Sequence, residues 1–400
     1  MHRPAAGGKV AMEKMRMNTL VIVGTGLAGY NLAKEFRKLD AERPLLIITQ
    51  DDGRNYSKPM LSTGFTKGKA ADELAMNSVE QMREQLKADI RTGVAVNAID
   101  RVARTLQVEG EIIPYGDLVL ALGADVFRPA LGGDAGDRVY SINDLQDYAR
   151  FREVMADKKK VVIIGGGLIG CEFANDLSNG GISVDVVEPV GRVLPALLPE
   201  RASEAVANGL ASLGVKLHFG HSVKGVWQDG DGVSVELSNG ERIAGDVVLS
   251  AIGLRPRTQL ALVAGLKAER GIVVDRFLRT SDANIYAIGD AAEVEGKVLL
   301  YVLPLMAAAR ALAKTLAGQP TAVMYPAMPV QVKTPVCPVV VSPVLPGTPG
   351  AWEVEAEGND VKAVFKSPDG QTLGFALTGA YAGSSAIKME LTRLLPPILA

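Results

Sequence analysis

Short, wholly apolar runs alternate along the chain with longer stretches in which apolar residues return every three or four positions. "TLVIVGTG", residues 19–26, carries aliphatic residues straight into glycines, the pattern of a strand buried on both faces. "AGYNLAKEFRKLD" then sets Leu32, Phe36 and Leu39 on one stripe and predicts a helix, and "PLLIITQDD" predicts the next strand. The same grammar restarts at residue 160, with strand "KVVIIGGG", helix "LIGCEFANDLSNG" and strand "ISVDVVEP". Between the two units, "KADIRTGVAVNAIDRVARTLQV" and "PYGDLVLALGA" alternate as strands do. Beyond the second lie "RIAGDVVLSAIGLRP", "TSDANIYAIGDAA" and a helical run, "LMAAARALAKTLAG". From about residue 325 the character changes: seven prolines fall between Pro326 and Pro349, ahead of "GFALTGAYAGSSAIKMELTRLL". This predicts a smaller terminal domain with β structure and a closing helix. The fold class expected is α/β, with two Rossmann-like dinucleotide-binding domains and a small C-terminal α+β domain.

Length and composition agree with a multidomain enzyme. Four hundred residues, 48% of them hydrophobic, exceed what one core organises. A net charge of -2 offers no global field for nucleic acid, and no apolar run approaches the roughly 18 residues of a membrane span. Residues 1–16 lack the apolar centre of a secretory signal and are expected to be a disordered leader, with Met17 an alternative start; the protein is expected in the cytoplasm. Two isolated cysteines, Cys171 and Cys337, exclude a disulfide framework and a four-cysteine metal site, and no metal is expected.

Each glycine cluster follows a predicted strand and opens a predicted helix. In Gly24-Thr25-Gly26-Leu27-Ala28-Gly29 the first glycine allows the turn, the second clears space for a pyrophosphate and the third lets helix and strand pack. Gly165, Gly167, Leu168, Ile169 and Gly170 repeat the arrangement. Glu188 ends the following strand where a carboxylate can accept from ribose hydroxyls, which favours NADH over NADPH, although Arg192 is close in sequence. In the first unit, Asp51 or Asp52 occupies the corresponding place, and spacing does not choose between them.

The two cradles, "DLVLALGA" (117–124), "LSAIGLRP" (249–256) and "TSDANIYAIGD" (280–290) resemble, in that order, the FAD-dependent pyridine nucleotide reductases with a glutathione-reductase-like fold. The resemblance implies an FAD-binding domain of residues 17–124 and 254–324, an inserted NADH-binding domain of residues 125–253, and a C-terminal domain of residues 325–400. It implies that the first cradle, Asp51, Val96, Asp290 and Val302 hold FAD, and that the second cradle, Glu188 and Gly253 hold NADH. "YSKPMLST", residues 56–63, resembles the family segment that passes the flavin, with Lys58 in place of an arginine and Thr63 in place of a lysine. In relatives that lysine pairs with the glutamate matching Glu172. Lys58 or Lys333 is expected to substitute, so Lys58, Glu172 and Lys333 form the candidate catalytic set, with both lysines near the flavin.

Disulfide reductases need paired cysteines and usually a terminal histidine, whereas the histidines here are His2, His218 and His221. Electrons must therefore leave for an external acceptor. "DDGRNYSKPMLSTGF", "GLRPRTQLALVAGL" and "VQVKTPVCPVVVSP" resemble the branch of the family that reduces rubredoxin, a small acidic one-iron protein, in alkane hydroxylation or the disposal of oxygen species. Alternatives are an NADH-dependent ferredoxin reductase, an NADH oxidase-like flavoprotein without a redox disulfide, and a flavin redox sensor. For an acidic partner, Arg54, Lys58, Lys67, Lys69 and Lys333 are the expected docking cations.

Overall fold

The computed structural model describes residues 18–400; the expected leader lies outside the described residues. The chain divides into two compact units, one of residues up to 57, 75–125 and 254–325, the other of residues 58–74, 126–253 and 326–400.

The first unit is built on a five-stranded parallel sheet in the order Ile285–Ala287, Asp117–Leu120, Leu20–Val23, Leu45–Ile48, Asp89–Arg91. Leu20, Val21 and Ile22 have no exposure, as an aliphatic run in a central parallel strand requires. The helix Leu27–Arg37 buries Leu32 and Phe36, but it ends before Leu39, which is 47% exposed instead of completing the stripe. A three-stranded antiparallel meander, Val96–Asp100, Thr105–Val108 and Glu111–Pro114, supplies the alternating runs.

In the second unit a parallel sheet runs in the order Val139–Tyr140, Val247–Ser250, Lys160–Ile164, Ser183–Glu188, Lys216–Phe219. Val162, Val187 and Val248 pack with Val226, Val233 and Val235 of an antiparallel meander into one core. The proline-rich tail forms an antiparallel sheet in the order Val330–Val332, Val339–Ser342, Thr372–Thr378, Asp360–Lys366, Ala351–Glu357. Phe375, Leu377 and Val340 pack there beneath Leu391 of the closing helix, Ser385–Leu394. Among the described residues no helix is long and apolar enough to cross a membrane.

Candidate functional site

The first cradle turns at Gly24, whose φ of +116° and the carbonyl of Ala121, 2.3 Å from where a Cβ would sit, both demand glycine. A Cβ on Gly29 would fall 2.0 Å from the Gly24 carbonyl oxygen, so helix and turn close only on glycine. Gly26 differs: a Cβ there would meet nothing within 4 Å. Neither fold nor packing asks for glycine at that point. The helix starts at Gly26 without a side-chain cap, so its first N–H groups are available to an anion.

Around this turn Thr25, 3% exposed, donates through Oγ1 to Thr49 Oγ1 at 3.0 Å, and Thr49 Oγ1 accepts the Asp51 N–H at 3.1 Å. Asp52 is committed to Arg54, whose Nε donates to Oδ2 at 2.6 Å, while Asp51 Oδ1 accepts the Asp52 N–H. Gly289 packs against the cradle, where a Cβ would fall 2.7 Å from the Ala28 methyl, and Asp290 follows it in the short turn Gly289–Ala291. Val302 opens the helix Val302–Leu316 and is 38% exposed; half-buried Val96 lies on the meander.

The second cradle repeats the three contacts: a Cβ would fall 2.8 Å from Ala251 O at Gly165 and 1.9 Å from Gly165 O at Gly170, and would meet nothing at Gly167. The helix Leu168–Asn179 is likewise uncapped at Gly167, with Leu168 half-buried and Ile169 41% exposed beside the opening. Glu188, 6% exposed, accepts the Gly166 N–H at 2.7 Å and the Val190 N–H at 2.9 Å, one on each oxygen. Its carboxylate is thus built into the loop, leaving only its remaining lone pairs for a ribose. Arg192 does not pair with it; the guanidinium reaches Pro195 O at 3.5 Å and leaves Nε buried without a partner. Gly253 is exposed with φ of +112°.

Lys58, Glu172 and Lys333 all fall in the second unit, and the structure brings only two of them together. Glu172, 1% exposed, accepts from the Lys333 ammonium, from the Lys333 backbone N–H at 2.9 Å and from Ser62 Oγ at 2.6 Å. Lys58 instead donates to Asn143 Oδ1 at 2.7 Å. Of the two lysines, Lys333 is the one seen bonded to Glu172, through its backbone as well as its ammonium. Two expected docking cations are held by carboxylates, Arg54 by Asp52 and Lys333 by Glu172. Lys67 is exposed and Lys69 half-buried on the turn 64–69. Missed from the sequence were Asn175 and Asp176, polar residues buried to 1% and 2% on the cradle helix. Both thiols are buried, and burial pushes each pKa up, away from the thiolate.

These features define a two-dinucleotide oxidoreductase scaffold, and the comparisons agree. The chain belongs to the pyridine nucleotide-disulphide oxidoreductase family, whose model matches residues 18–314. Residues 322–395 match a rubredoxin binding C-terminal domain. The chain is similar, at 60% identity over 96% of its length and all of the relative's, to the rubredoxin-NAD(+) reductase of Alcanivorax borkumensis. It is 44% identical to the protein of the same name from Acinetobacter baylyi, over 96% of this chain and 99% of that one. Among solved structures, the covalent putidaredoxin reductase-putidaredoxin complex matches with a TM-score of 0.84 and 26% identity, covering 95% of this chain and 94% of that one.

Proposed function

We propose that the chain is an FAD-dependent NADH:rubredoxin reductase, with FAD on the first cradle and NADH on the second. The observation that carries the reading is the pair of openings at Gly26 and Gly167, each kept clear by a glycine that the chain's own packing does not require. Bound FAD would supply the chemistry that links a two-electron hydride donor to a one-electron iron acceptor. The chain's own residues bind and orient. The uncapped helix ends face the pyrophosphates, Asp51 and Asp290 hold sugar or ribityl hydroxyls of FAD, and Val96 and Val302 contribute backbone near its ring systems. Glu188 presents an acceptor already fixed to a ribose, with Gly253 beside the nicotinamide end. Lys333, held by Glu172, supplies a positive charge that does not depend on a flexible side chain finding its place.

Buried thiols support electron exit to a separate protein, and the match of residues 322–395 to a rubredoxin binding domain supports rubredoxin as that protein. Lys67 and Lys69 remain as steering cations. A cytoplasmic location, and delivery to alkane hydroxylation or the disposal of oxygen species, belong to the same reading. The test is an anaerobic acceptor panel under NADH with rubredoxin, ferredoxin, ferricyanide and, separately, oxygen. Rubredoxin should be reduced with the highest kcat/KM; preference for ferredoxin or rapid oxygen consumption would replace this reading with one of the alternatives, and slow turnover with every acceptor would point to a sensor.

A further inference from the structure

The helix Leu168–Asn179 is buried on every side from Gly170 to Asp176, yet three of its inward side chains are polar. Glu172, Asn175 and Asp176 stand at i, i+3 and i+4, hence on one face. A helix that served only to fill space would carry leucines there, since buried polar groups cost stability unless every one is satisfied. Here each is satisfied by backbone N–H groups of segments outside helices, with Ser62 of the short 3-10 turn Lys58–Thr63 adding a bond to Glu172. Asn175 Oδ1 accepts the Val336 N–H at 3.1 Å, next to the Glu172 bond to the Lys333 N–H at 2.9 Å. Asp176 accepts the Phe65 N–H at 3.0 Å and the Thr66 N–H at 2.8 Å. The first pair of bonds holds a loop within the stretch that matches the rubredoxin binding domain; the second holds the turn that carries Lys67 and Lys69.

Apolar contacts slide, whereas directional hydrogen bonds to backbone N–H groups fix a loop in one register. We propose that Asn175 and Asp176 are positioning residues for the electron-carrier half of the reaction, forming with Glu172 a polar latch that sets the Lys333–Val336 loop and the Phe65–Thr66 turn for protein docking. The inference rests on the reading of the chain as a rubredoxin reductase.

The test uses the flavin-loaded full chain with NADH and either rubredoxin or ferricyanide, comparing wild type with Asn175→Leu and Asp176→Asn. Asn175→Ser is the milder variant should Leu fail to fold. Expected is a KM for rubredoxin about tenfold higher, a ratio of rubredoxin to ferricyanide kcat/KM about tenfold lower, and faster amide exchange at Val336 in the Asn175 variants and at Phe65 and Thr66 in Asp176→Asn. A merely structural role would lower both acceptor rates together, in step with the melting temperature, and that result overturns the latch. So does an unchanged rubredoxin KM with the amide protection lost. Wild-type protein that reduces ferricyanide but not rubredoxin overturns the functional reading itself, and is seen before any variant is made.

Discussion

The two cradles are nearly the same object in their backbones and quite different in what surrounds the second loop position. At Thr25 the first cradle has a buried hydroxyl, joined to Thr49 and through it to the Asp51 N–H. At Gly166 the second has no side chain, and the vacated space is taken by Glu188, whose Cβ lies 3.1 Å from where a Gly166 Cβ would be. The first therefore leaves its acidic residues on a loop of their own, and the second ties its acid to the phosphate turn by a 2.7 Å bond. A fixed acceptor costs an incoming nucleotide little ordering. That suits a ligand that must exchange at every turnover, while a resident cofactor has no such need.

The largest effects should come from breaking the geometry both cradles share. Gly170→Ala puts a Cβ 1.9 Å from the Gly165 carbonyl oxygen, an overlap that backbone cannot relieve, and little folded protein is expected. Gly26→Val and Gly167→Val meet no such obstacle, so both should fold with near-native melting. They should then part company. Gly26→Val should purify depleted of FAD by its visible absorbance, and Gly167→Val should retain FAD while its KM for NADH rises by about 100-fold, on the order of 3 kcal/mol. The opposite pattern would exchange the assignments of the cradles.

Beyond the glycines the helices differ as well. Leu27–Arg37 is amphipathic, whereas Leu168–Asn179 buries a charged pair with Lys333. Lys333→Met leaves Glu172 without its cation, which should cost about 2–3 kcal/mol, less than a fully enclosed pair because Lys333 is 26% exposed. Lys58→Met gives up, among its contacts, the bond to the Asn143 amide, which should itself contribute about 1 kcal/mol. Denaturant unfolding of the two variants decides the matter; equal losses would mean that the Lys333 contact contributes no more than an ordinary hydrogen bond.

A smaller effect separates the two acids. Glu188→Gln keeps one oxygen but loses an acceptor for either the Gly166 or the Val190 N–H, so about 1–2 kcal/mol is expected. That loss should appear in unfolding stability, while removing the charge at the nucleotide site should separately give a roughly tenfold fall in kcat/KM for NADH, a gain for NADPH and unchanged FAD content. Asp52→Asn should alter none of these, since that carboxylate already holds Arg54. A Glu188→Gln protein with its NADH to NADPH ratio intact would deny the acid any part in nucleotide choice.

The glycine spacing made both cradles legible in the sequence because it is imposed by local turns and a single strand–helix contact. What lay out of reach was set by distant pairing. Lys333 meets Glu172 across 161 residues, and no spacing rule could prefer it to Lys58. Asn175 and Asp176 read as an ordinary polar face, since their partners are backbone groups that carry no sequence signal. Leu39 was misplaced by a stripe continued past the end of the helix at Arg37. The substitution of Gly166 for the threonine of the first cradle was the one available hint that Glu188 turns inward.

The smallest expected difference concerns the residue after the third glycine, Tyr30 in one cradle and Cys171 in the other. Both are buried, Tyr30 donating to Gly53 O at 2.5 Å and Cys171 to Gly166 O at 3.3 Å. Burial raises both pKa values in the folded chain. For an acid whose folded pKa is raised, the stabilisation is complete below the unfolded pKa and is lost as pH climbs toward the folded one. An unfolded thiol titrates near 8.5 and an unfolded phenol near 10, so the two cradles respond in different windows. Between pH 7.5 and 9.5 the unfolded chain loses the Cys171 proton and the native chain keeps it, a change of about 1.4 kcal/mol at 25 °C. The stability of wild type relative to Cys171→Ala should fall by that amount over the interval, while its stability relative to Tyr30→Phe stays nearly level until pH approaches 10. NADH-to-ferricyanide turnover of Cys171→Ala should remain within a few-fold throughout, since the neutral thiol has no part in electron transfer. A stability difference from Cys171→Ala that is flat between pH 7.5 and 9.5 would mean that the thiol ionises in the native cradle as readily as in the unfolded chain, and the electrons' route past both cysteines would have to be reconsidered.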